Sequence, residues 1–133
     1  MNTEPPNIND ARSADLVKAL DNGQLETLTH EDHVRIAWHL LRSTDFATTI
    51  ARLPQMLKRF ATSKEMPNHY HETITVAFIA IIHERLHQQN ANDWPTFKSA
   101  NPDLFNRKVL KRFYNTATLD SDLARQVFVL PTS

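Results

Sequence analysis

Apolar residues return at three- and four-residue spacing in one stretch of this chain after another, and that period belongs to helices that bury one side. It is clearest over residues 30–43, where His33, Ala37, Leu40 and Leu41 share a stripe that Val34 and Ile36 widen. It recurs in Phe46, Ile50, Leu53, Leu57 and Phe60, on a segment where Pro54 lacks a backbone donor and predicts a kink. Residues 69–89 hold the most apolar run, ITVAFIAII. Its β-branched residues would also suit a buried strand, but the cap signal at Asn68 and the polar continuation HERLHQQ favour helix. The expectation is therefore all-α: a compact bundle of about five helices around a long apolar central helix, 69–89.

Punctuation sets the remaining boundaries. Asp10 or Ser13 can cap a first helix carrying Leu16, Val17 and Leu20, which Gly23 closes. Thr29 and Asp32 have the spacing of a capping box that opens 30–43, and Asp45 or Thr44 opens the next helix, 45–64. The stretch DWPTFKSANPDLFN, with its two prolines, reads as a short helix and a loop. Residues 103–116 read as a last helix with Leu104, Val109, Leu110 and Phe113 inward and Arg107, Lys108, Lys111 and Arg112 outward. Val127 to Leu130 is apolar and β-prone, and is expected to cross the bundle as an extended C-terminal tail. Residues 1–9, polar with a Pro-Pro pair, read as a flexible N-terminal tail, and 10–133 as a single helical domain.

Composition removes whole classes of function. Lys+Arg and Asp+Glu balance at 15 each, so no long-range field draws the chain to nucleic acid or to an anionic membrane. Cysteine is absent, which excludes disulfides, thiolate metal sites and thiol nucleophiles. A single glycine, Gly23, leaves no phosphate-cradling loop, so no nucleotide cofactor is expected. The beginning of the sequence has neither a basic nor an apolar leader region, and no run is long enough to span a membrane; the expected location is the cytoplasm.

What stands out chemically is histidine, seven in 133 residues. His30 and His33 open one expected helix, with His39 farther along it; His69 and His71, beside Glu72, open another. The positive end of a helix dipole favours neutral imidazole, the form that binds metal or acts as a base. If helices 30–43, 45–64 and 69–89 run up, down and up, the first and third share an end, and the two groups meet there. His83 and His87 do not belong to that set, because eleven residues of helical rise put Glu72 and His83 ~16 Å apart. The Glu84-x-x-His87 spacing resembles the ligand motif of ferritin-like di-iron bundles. That family carries the motif on two helices, and the second copy is missing here.

Imidazoles with one carboxylate suit Fe(II), Zn(II) or Mn(II), with open positions for water or substrate. On this reading His33 and Glu72 are first among the ligands, His30 and either His69 or His71 complete the set, and Asp32 orients a ligand or accepts a proton. Trp38 and Tyr70 would wall a small-molecule pocket. The function expected on this reading is a metal-dependent enzyme, using Fe(II) or Zn(II), that acts on a small molecule. The same residues also fit a metal-free interaction or regulatory module, or a carrier of a small ligand. The oligomeric state is not fixed by these patterns.

Overall fold

The computed structural model describes residues 8–132, the side chains of residues 8–10 and of Arg107 excepted. The described chain is all helical: α1 (Ile8–Asp21), α2 (His30–Ser43), α3 (Phe46–Ser63), α4 (Glu72–Gln88), α5 (Trp94–Ala100), α6 (Thr116–Leu119) and α7 (Asp122–Gln126), with 3-10 segments at Pro67–His69, Pro102–Phe105 and Arg107–Arg112. Among the described residues there is no strand, and no helix is long and apolar enough to cross a membrane. Ile8 and Asn9, expected in the flexible tail, belong to α1; the rest of that expected tail lies outside the described residues.

The bundle is built on α2, which packs against α1, α3 and α4, while α4 also touches α3 and α7. Helix α2 is the most enclosed element, with residues 34–38 and Leu40 and Leu41 all buried. The apolar helix α4 was expected at the centre and to start at His69; it starts instead at Glu72 and leaves Ala80 and Glu84 exposed. Ser13, expected as a cap, sits inside α1, fully buried, where its hydroxyl accepts from Arg35 Nε at 2.7 Å. Helix α3 runs on through the buried Pro54. Trp38, Trp94 and Phe97 pack at centroid distances of 5.5–6.2 Å and close the core between α2 and α5.

The expected helix 103–116 is instead a pair of 3-10 segments. Asn106 interrupts it, its side chain accepting from Lys108 N at 2.9 Å in a local turn that competes with helix. A polar clamp holds this irregular stretch to the end of α4. Arg85 donates to both carboxylate oxygens of Asp103 (3.0 and 2.8 Å) and to Asn101 Oδ1 (2.8 Å). The fully buried Asn101 exchanges two further bonds with the Gln89 amide, each 2.9 Å. Arg85 thereby holds the Asp103 carboxyl below its usual range. Lys108, Lys111 and Arg112 face outward as expected, but Phe113 is exposed rather than buried.

Helices α1 and α3 end in the same way. At the end of α1, Gly23 N–H reaches Leu20 O and Gln24 N–H reaches Ala19 O, with Gly23 at φ 71°. At the end of α3, Glu65 N–H reaches Thr62 O and Met66 N–H reaches Ala61 O, with Glu65 at φ 61°. Both are Schellman closures, which call for a left-handed residue after the cap. Glycine fills the position without strain in the first, whereas in the second a residue with a Cβ bears it. We expect Glu65→Gly to raise stability by about 1 kcal/mol and Gly23→Ala to lower it by a similar amount. Thermal and urea unfolding of the two variants check this.

Candidate functional site

The up-down-up course of α2, α3 and α4 brings the N-terminal ends of α2 and α4 together, with the Schellman turn of α3 beside them. The gap between these ends is an open cleft of about 480 Å³ reached by His33, Lys64, His69, Tyr70 and Arg125, with an apolar floor that includes Leu57 and Phe60. Behind it lies a small apolar void of about 40 Å³ among α2, α3 and α4. His33, Leu57 and Thr75 line both spaces and so form the partition between them.

The expected histidine and glutamate set does not converge. Among the described residues no group of three or more His, Asp or Glu side chains is placed to hold a metal ion. His30 turns inward, its Nε2 donating to Leu104 O at 2.8 Å and its ring edge-on to Phe78 at 5.0 Å. His71 is buried and uses both ring nitrogens: Nδ1 accepts from Ile74 N–H at 3.1 Å as the cap of α4, and Nε2 donates to Leu119 O at 2.8 Å. A backbone N–H can only donate and a carbonyl can only accept, so the proton sits on Nε2 and neither lone pair is left for a metal. Of the histidines expected at this end, only His33 and His69 reach the cleft.

Asp32, expected as an orienter or proton acceptor, is a member of the capping box of α2. Its Oδ2 accepts from Thr29 N–H at 3.0 Å, and Asp32 N–H donates to the Thr29 hydroxyl at 3.1 Å. Trp38 does not line the cleft; it is fully buried in the core, and its indole N–H has no hydrogen-bond partner among the described residues. Tyr70 does line the cleft, where its hydroxyl donates to Glu72 Oε1. The tyrosine thus stands between the cleft and the Glu72 carboxylate, which does not line it.

Arg125 reaches the cleft from α7, far along the chain. Its Nη1 donates to Asn68 O at 2.6 Å, pinning α7 across the 3-10 turn that precedes α4. Tyr114 stays apart, buried, with its hydroxyl donating to Val129 O at 2.8 Å. His83 and His87 lie toward the other end of α4, their rings 4.6 Å apart with Phe46 against His83.

Compared with known proteins, the chain matches no family model, no curated protein and no solved structure. The chemistry of the cleft is therefore read from its own side chains. They offer cationic and neutral donors over an apolar floor, with no cysteine and no serine among the lining residues. That arrangement can bind and orient a small molecule.

Both tyrosines of the chain are held protonated. Burial is the larger cause for Tyr70, reinforced by the hydrogen bond to Glu72 and its charge, and burial alone raises Tyr114. A native value above the unfolded one gives stability that is complete below pH ~10 and is lost as pH rises past that point. The folded protein should therefore show no phenolate absorbance step at 295 nm near pH 10, with both tyrosines ionising at higher pH or together with unfolding. A step near pH 10 while the far-ultraviolet circular dichroism remains native would contradict this placement.

Proposed function

We propose that the protein binds a small amphipathic anion in the cleft at the N-terminal ends of α2 and α4, as a carrier or sensor that needs no metal. One observation carries the reading: every charged residue lining the cleft is basic. Lys64 and Arg125 reach it together with His33 and His69, and neither an aspartate nor a glutamate lines it. Glu65 lies between Lys64 and Met66 but does not line the cleft, and Glu72 accepts the Tyr70 hydroxyl behind its wall. Leu57, Phe60 and Met66 supply an apolar wall for the body of the ligand. A volume of about 480 Å³ falls in the range of ordinary small-molecule sites, roughly 300–1,000 Å³. The reading is preferred to a metal centre because His71 has spent both ring nitrogens and His30 has spent Nε2 on backbone carbonyls and amides.

Octanoate, an eight-carbon carboxylate, is a suitable probe for both halves of this proposal. Isothermal titration should give a saturable site, weakened about tenfold by Lys64→Ala, roughly the loss of one charge-assisted hydrogen bond. Phe60→Ala should weaken it by a similar factor, through lost apolar contact. Octanol should bind more weakly than octanoate. Equal binding of the two, or binding unaffected by both variants, would remove the proposal.

A further inference from the structure

Beyond α7 the chain is extended. Val127 has φ −134° and ψ 157°, and the segment from there to Leu130 is held along one side only. Thr73 Oγ1 donates to Val127 O at 2.8 Å and accepts from Val129 N–H at 3.1 Å, while the Tyr114 hydroxyl donates to Val129 O at 2.8 Å. Backbone groups alternate sides along an extended chain, so Phe128 and Leu130 turn theirs the other way, and no hydrogen bond engages either residue's backbone among the described residues. Beyond Pro131 the edge closes, as Thr132 N–H returns to Phe113 O at 2.8 Å. The side chains along this edge are apolar and open to solvent, Phe128 at 41% and Leu130 at 76%.

We propose that this edge pairs with the same edge of a second copy of the chain, the two tails lying antiparallel across a two-fold axis. A row of outward N–H and C=O groups recognises an extended strand and little else. With Val129 on the axis, Phe128 of one copy stands opposite Leu130 of the other, and each pair exchanges its N–H and C=O groups in both directions. Edges that must stay single are blunted by lysine, proline or a bulge at the outward positions; here those positions are Phe128 and Leu130. Residues 126–132 carry no charge and the chain as a whole balances 15 cations against 15 anions, so like charge does not oppose self-pairing. An isologous interface also needs a recess beside each projection. A shallow groove of about 200 Å³ next to the tail provides it, lined by Ala77, Ala80, Ile81, Phe113, Tyr114 and Pro131 with one carboxylate, Glu84, among them.

Sedimentation equilibrium on the intact chain tests the proposal. The weight-average mass should double as concentration rises from a few to several hundred micromolar. Leu130→Pro removes one outward N–H and leaves the inner bonds of Val127 and Val129 in place; it should weaken association at least tenfold without changing the circular dichroism. Phe128→Lys should do the same by bringing like charges together. In the unmodified protein, amide protection of Phe128 and Leu130 should rise with concentration, a readout independent of either variant. A monomer throughout the range overturns the proposal, as it would if the edge serves a strand from a different protein. A dimer that survives both substitutions, with those two amides unprotected, overturns it as well.

Discussion

The imidazole of His71 joins two parts of the molecule that otherwise have separate local determinants. Through Nδ1 it starts α4, and through Nε2 it holds the carbonyl of Leu119 in α6. Two residues on, the Thr73 hydroxyl grips the backbone of the tail on both sides of Phe128. The end of the bundle, the last two helices and the extended segment are thus registered by two side chains, His71 and Thr73, at the start of one helix. Losing the imidazole would leave a backbone donor at the start of α4 and a carbonyl in α6 without partners, each costing about 1–3 kcal/mol where water cannot replace it.

That same residue explains where sequence reasoning lost its footing. Helix N-caps are sought among Ser, Thr, Asp and Asn, a rule that places α2 and α3 correctly at Thr29 and Asp45. For α4 it selects Asn68, because a histidine cap lies outside the rule. The helix therefore starts later than expected, and the intervening Pro67–His69 turn takes up the slack. Similarly, the stretch after Pro102 has helical periodicity, yet its identity is decided by Asn101 and Asn106, whose amides bond locally and to α4. Periodicity reports which residues face inward; it does not report whether the backbone ladder is α or 3-10.

The candidate site was legible at the level of topology and illegible at the level of rotamers. Helix order alone places the ends of α2 and α4 together, and His33 and His69 do meet at one cleft. The directions of the other imidazoles depend on partners distant in sequence, Leu104 for His30 and Leu119 for His71. Nothing local signals either contact. The lining of the cleft likewise follows from a pairing that spacing does not reveal, since Tyr70 stands in front of Glu72 and the lysine and arginine that reach the cleft come from the end of α3 and from α7.

Eleven of the twelve residues that line this cleft fall between Leu28 and Thr75, and the twelfth, Arg125, reaches it from α7 near the other end of the described chain. A form in which α7 has come away keeps the cleft without Arg125, one of the two residues, with Lys64, that bring a lysine or arginine cation to it. A molecule bound there would find its full set of contacts only in the finished fold, so its binding free energy would add to global stability. Occupancy would then be readable as resistance to unfolding everywhere in the protein, including the far end of α4, where the ligand touches nothing.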